Sequence, residues 1–98
     1  MGKRKVSILD AAVDTIAEIA LFIESEGMPA TAKKFVDEVF SFFKTLSDDR
    51  ILYKPCRFKK WQHLNYRCVT YKRKYIIAYL SHKNEIVICD FVSSKLLK

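Results

Sequence analysis

Residues 66–92 read YRCVTYKRKYIIAYLSHKNEIVICDFV, and this stretch decides the fold. Residues 66–71 alternate, residues 75–81 are strongly β-prone, and residues 85–92 form another β-rich run. Lys72-Arg73-Lys74 and His82-Lys83-Asn84 are the polar links between them. Successive β runs joined by tight polar turns predict an antiparallel meander. Because side chains alternate across a strand, Ile76, Ala78 and Leu80 would share one face. Val87, Cys89 and Phe91 would do the same, and that face is expected to pack on helices. The opposite face would carry Tyr75, Ile77, Tyr79 and Ile88, rimmed by basic residues. Residues 56–63 would add a further strand at an edge.

Upstream the period changes from two to about 3.6. Val13, Ile16, Ala17, Ala20 and Ile23 recur at three- and four-residue spacing, which predicts a helix over residues 11–25 with Asp10 as its N-cap. Gly27 is a C-terminal stop, and Met28-Pro29 turns the chain into a second helix ending near Leu46. Ala32, Phe35, Val36, Val39, Phe40, Phe43 and Leu46 form its apolar stripe, with Lys33, Lys34, Asp37, Ser41 and Lys44 opposite. Ser47-Asp48-Asp49 breaks the pattern. In the first helix Phe22 falls on the polar face and Leu21 at the stripe's edge, so either an adjacent loop covers these two or they are a candidate partner-binding patch on the outside of the helix pair. Residues 5–9, with Val6 and Ile8, read as a short strand. The sum is a two-layer α+β fold: an N-terminal strand, then an antiparallel helical hairpin packed on a three- to four-stranded antiparallel C-terminal sheet.

The 98 residues predict one domain spanning residues 1–98, and half of them are apolar, enough for a core without disulfides or metal; no cofactor is expected. Three widely spaced cysteines and two histidines, with no Cys-x-x-Cys, argue against a zinc site and a secreted disulfide framework. Reduced, mostly buried thiols in a cytoplasmic protein are expected. The apolar segment after the basic start is interrupted by Asp10 and Asp14, so no signal peptide is read there. No apolar run approaches membrane-spanning length, so no membrane association is expected.

Charge is segregated. Residues 1–49 carry six basic and nine acidic side chains, whereas residues 50–98 carry twelve basic and two acidic. Residues 50–74 hold nine Lys or Arg and no acid, interleaved with Tyr53, Phe58, Trp61, Tyr66 and Tyr71. Such a surface attracts polyanions, and its aromatics could stack on bases. Lys54, Arg57, Lys59, Lys60, Trp61, Lys72, Arg73 and Tyr79 are the candidate nucleic-acid contacts, with partial burial at the core edge as the other reading of Trp61. The Lys72-Arg73-Lys74 cluster reads equally as a solvated turn that discourages edge pairing.

Three motifs carry a family resemblance. They are Lys5-Val6-Ser7-Ile8-Leu9-Asp10-Ala11-Ala12, Ala32-Lys33-Lys34-Phe35-Val36-Asp37-Glu38-Val39, and the run Tyr66-Arg67-Cys68-Val69-Thr70-Tyr71 with its two following strands. In this order and spacing the chain resembles the RelE/ParE toxin superfamily of bacterial type II toxin–antitoxin modules. The resemblance implies a RelE-like fold and a small toxin neutralised by a cognate antitoxin. Some members cleave mRNA in the ribosomal A site; others poison DNA gyrase. Many members follow the last strand with a His-x-Arg or Thr-Arg element. Here Phe91-Val92-Ser93-Ser94-Lys95 leaves Lys95 in place of the arginine, without a histidine, and Ile76 stands where relatives often carry Arg.

RNA cleavage by 2′-hydroxyl attack requires a proton acceptor, cations for the phosphorane and a donor for the leaving oxygen. His63 is the neutral-pH acid or base of the basic block. Arg67 lies within a strand, where a cation needs a partner or ligand. His63, Arg67 and Lys95 are therefore the candidate catalytic residues of a metal-independent endoribonuclease. The expectation is a toxin acting by ribosome-associated mRNA cleavage. The alternatives are a gyrase poison, a catalytically inactive binder of the same fold, and a small RNA-binding module.

Overall fold

The structure is a computed structural model describing residues 4–48 and 50–94. The elements are β1 (Lys5–Ile8), α1 (Asp10–Ser25), α2 (Pro29–Leu46), β2 (Arg67–Tyr71), β3 (Tyr75–Ser81) and β4 (Glu85–Ser93), with a 3-10 turn at Gln62–Leu64. The sheet order is β1-β4-β3-β2. β2, β3 and β4 form the expected antiparallel meander, and β1 joins its far edge parallel to β4, with Val6 opposite Ile86 and Ile8 opposite Ile88. The helical hairpin covers one face, giving the two-layer α+β fold.

The helix boundaries follow local chemistry. α1 begins one residue earlier than its stripe, so Leu9 occupies the N-cap and Asp10 lies in the first turn, where its charge favours the helix dipole. Gly27 ends α1 at φ +83°: its N–H reaches the Glu24 carbonyl, and the Met28 N–H reaches the Ile23 carbonyl. This paired closure needs a left-handed residue, which glycine supplies without a Cβ penalty. Pro29 then opens α2 with its fixed φ.

Arg4 fastens the other end of α2. Its guanidinium donates to the carbonyls of Leu46, Ser47 and Asp48 at 3.3–3.4 Å. It also donates to the Ser81 hydroxyl at 2.8 Å and the His82 carbonyl at 3.2 Å. One cation thus satisfies carbonyls orphaned at the helix C-terminus and ties them to the β3–β4 turn.

The two sheet faces are exchanged relative to the sequence expectation. Ile77 and Tyr79, not Ile76 and Ala78, face the helices, together with Val69, Tyr71, Ile86, Ile88 and Phe91. Both faces are apolar, so alternation alone does not choose between them. Side-chain volume does. The α2 phenylalanines meet rings on this face: Phe42 lies 5.0 Å from Tyr71, Phe35 5.8 Å from Tyr75 and Phe43 6.4 Å from Phe91. The smaller Ala78 and Cys68 lie on the other face, where the segment after α2 folds over as a roof and inserts Trp61. In β4 the parity also changes. Tyr79 pairs with Ile88 and Ala78 with Asp90, leaving Cys89 as the extra residue of a bulge. Phe91 consequently joins Ile88 on the helix side.

Residues 56–63 do not form a strand. Pro55 makes a single antiparallel bridge with Arg67, the Cys56 N–H reaches the Tyr66 carbonyl and the Cys68 N–H reaches the Lys54 carbonyl. Turns follow, because Trp61 must leave the edge to cross the sheet face. This short pairing also brings Cys56 and Cys68 together, Cα to Cα 4.9 Å, as a disulfide. Three reduced thiols were expected; one pair is bonded, and only Cys89 is a free, buried cysteine. Spacing hid the pair because residues 56 and 68 meet through the roof's return.

Candidate functional site

The basic block lies mainly on the roof and on β2. Lys54, Arg57, Lys59, Lys60 and His63 are exposed there. Lys60 stands 4.0 Å from the Asp90 carboxylate and 5.4 Å over the Trp61 ring. Trp61 itself is 2% exposed, held between Phe58 and Tyr66. It is a core residue of the roof and offers no ring face to a base. Tyr79, at 1% exposure, likewise offers none, because its strand face turns toward the helices. Burial pushes the Tyr79 phenol above its ordinary value and outweighs the opposing effect of the Tyr53 amide.

Arg67 is half-buried and donates from Nη1 to the Tyr53 carbonyl at 2.8 Å. It lines a cleft of about 440 Å³ with Asn65, Ser81 and His82, floored by Pro55, Leu64 and Leu80. Asn65 turns the roof into β2 in the left-handed conformation, at φ 57°. The sequence expectation paired Arg67 with His63; the fold pairs it with His82. The imidazole of His63 sits on the exposed 3-10 turn and does not line this cleft. His82 was missed because it reads as a turn residue, and only the strand crossing brings it beside Arg67. A guanidinium and an imidazole suit an anion, and among the described residues no carboxylate lines the cleft.

At the other end of β2, Lys72 bonds the Glu38 carboxylate of α2 and lies 5.5 Å over the Tyr71 ring. This hydrogen bond is the main reason the Glu38 carboxyl titrates below, and the Lys72 ammonium above, its ordinary value. Arg73 is exposed beside it. Lys95 lies outside the described residues. Among the described residues no group of three or more His, Cys, Asp or Glu could hold a metal ion. No described helix is long and apolar enough to cross a membrane.

A second, chemically different site lies on the helices. Val13, Ala17, Ala20 and Leu21 of α1 face Val36 and Phe40 of α2 across an open groove of about 420 Å³. Leu21 is 63% exposed at its lip, and the neighbouring Phe22 is 65% exposed. These two are among the most exposed large apolar side chains of the described residues.

Comparison with known proteins agrees with the fold. A solved structure described as the "Chromosomal ParDE TA system from P. aeruginosa" superposes with a TM-score of 0.75 at 16% identity, covering 93% of this chain and 96% of that one. No curated protein matches the sequence. The family model for the ParE toxin of the type II toxin–antitoxin system parDE matches residues 6–95. With its helical hairpin, mixed four-stranded sheet and nearly complete family match, the chain belongs to the ParE toxin family and is the toxin component of a type II toxin–antitoxin module.

Proposed function

We propose that this toxin arrests growth by binding, as a DNA gyrase poison, rather than by cleaving mRNA. The observation that carries the reading is the divergence of the groups RNA cleavage needs. His63 stands on the roof turn, Arg67 faces a different cleft with one arm held by the Tyr53 carbonyl, and Tyr79 is buried. Trapping a protein–DNA complex needs no proton transfer from the toxin. It needs a firmly seated, charged surface, and the cations on a roof packed onto the sheet through Trp61 supply one. Either target acts in the cytoplasm, where the protein is proposed to work. The antitoxin would silence the toxin by laying an amphipathic helix in the α1/α2 groove, with acidic residues reaching the basic side.

The RNA-cleavage reading keeps one observation in its favour, the shared cleft of Arg67 and His82. Two assays on purified protein separate the readings. With gyrase and supercoiled plasmid, the toxin should accumulate linear, protein-linked DNA, while ribosomes programmed with mRNA should yield no cleaved message. Message cleaved by wild-type protein but not by His82→Ala would overturn the gyrase reading.

A further inference from the structure

The β2–β3 turn carries a contradiction between its backbone and its side chains. The Lys74 N–H closes on the Tyr71 carbonyl at 3.1 Å, with φ 51° at Lys72 and 60° at Arg73. Two central residues at positive φ define a type I′ turn, whose preferred sequence is Asn-Gly. Lysine and arginine have neither the absent Cβ of glycine nor the short amide that stabilises asparagine there. Turn propensity therefore does not account for these two residues. Backbone strain of this kind persists at sites where the side chains serve a function.

What surrounds the turn indicates which function. A cleft of about 340 Å³ on one side is lined by Thr31, Lys34, Lys72 and Lys74, and one of about 270 Å³ on the other by Arg73, Lys74, Ser93 and Ser94. Tyr75 lies between them, lining both. Lysine, arginine and hydroxyl groups together are the donors that proteins use on phosphate oxygens. A two-stranded β-ribbon is also an element that the major groove of duplex DNA admits. Glu38 also lines the first cleft, and its carboxylate accepts a hydrogen bond from Lys72.

We propose that the β2–β3 turn is a docking element for the phosphate backbone of duplex DNA, with Glu38 holding Lys72 until a phosphate displaces it. The proposal rests on the gyrase reading for its biological setting, because the trapped complex contains DNA. The turn would hold the duplex while other surfaces engage the enzyme.

The test uses the full chain and a fluorescein-labelled duplex of about 20 bp, with binding read by anisotropy across a salt series. The variant K72N/R73G restores the preferred turn sequence, so its thermal midpoint should rise, and weakened binding then cannot be attributed to misfolding. Its affinity should fall at least about tenfold at 0.1 M salt, and the slope of log K against log salt should shrink by about 2. Glu38→Gln should act oppositely and tighten binding. Unchanged affinity and slope in K72N/R73G would overturn the proposal. So would a loss seen only against a poly-glutamate probe, which would assign the turn to an acidic protein partner. The gyrase cleavage assay is scored separately. Wild-type protein that binds the duplex through this turn but traps no gyrase complex keeps the inference and sinks the gyrase reading. Trapping that survives in K72N/R73G alongside unchanged duplex binding does the reverse.

Discussion

The hydroxyl of Tyr79 accepts the backbone N–H of Tyr53 at 3.2 Å. Arg67, the cross-strand neighbour of Tyr79, donates to the carbonyl of the same residue at 2.8 Å. Both main-chain groups of Tyr53 are therefore held by side chains from adjacent strands, and the roof starts from that point. Tyr79→Phe removes the acceptor and leaves the amide without it. The expected cost is about 1–3 kcal/mol of folding stability, because an unpaired buried donor loses its water without replacement. Urea denaturation measures it. Faster hydrogen exchange at the Tyr53 amide would locate the effect, and a variant with unchanged stability would remove Tyr79 as the anchor.

The same burial sets an alkaline limit. Loss of water pushes the Cys89 thiol above 9.0 and the Tyr79 phenol above 10.0. A raised acid pKa means the folded state keeps its proton where the unfolded state has released it. Stability is then full below pH 9 and declines as pH rises through and beyond the ordinary values of the two groups. Urea midpoints from pH 8 to 11 should fall, and Cys89→Ala should delay the onset. A flat profile would contradict this account.

The Cys56–Cys68 bond closes a loop with a sequence separation of 12. Loop closure of this size stabilises by about 2–3 kcal/mol through the unfolded chain. Replacing both residues with serine should lower the midpoint accordingly and loosen the roof over Trp61. Alkylation of unfolded, non-reduced protein should label one thiol, Cys89. Labelling of all three would show that the bond is absent in the purified protein.

Arg4 links the last carbonyls of α2 to Ser81 and His82. Arg4→Met keeps the aliphatic stem but removes the donors, and about 2 kcal/mol should be lost. Lysine at this position should restore only part of that, since an ammonium lacks the planar fork that reaches several carbonyls at once. Thermal denaturation of the two variants checks the order.

On the helix surface, Leu21→Asp and Phe22→Asp replace exposed side chains, so the circular dichroism spectrum and melting midpoint should stay near wild type. Their affinity for the cognate antitoxin should nevertheless drop at least about tenfold, since buried apolar anchors dominate such grooves. Calorimetric titration measures the loss. Undiminished affinity in both variants would place the antitoxin elsewhere.

The helices, their Gly27 stop, the three meander strands and their two turns were all legible in residues 10–93, because each rests on local periodicity or turn chemistry. The outward position of Leu21 and Phe22 was legible too, because a helical wheel fixes angular position, but the sequence left open whether a loop covers them, and the structure shows both exposed. The site was less legible. Trp61 read either as a stacking ring or as a ring partly buried at the core edge, and Tyr79 as an exposed contact; both are buried, since a ring's exposure depends on what crosses over it. His82 read as an idle turn residue and instead lines the cleft of Arg67.

By itself, the sequence determined both helices, β1 and the three meander strands and the segregation of charge, since these follow from spacing and composition along the chain, but it read a strand at residues 56–63 where the roof turns instead. Only the tertiary structure decided which sheet face meets the helices, where β1 docks, and that Cys56 finds Cys68. Both faces of β3 are apolar, so the choice fell to volume. The large rings went where the α2 phenylalanines had room for them, and the small residues went where a returning loop could lie close.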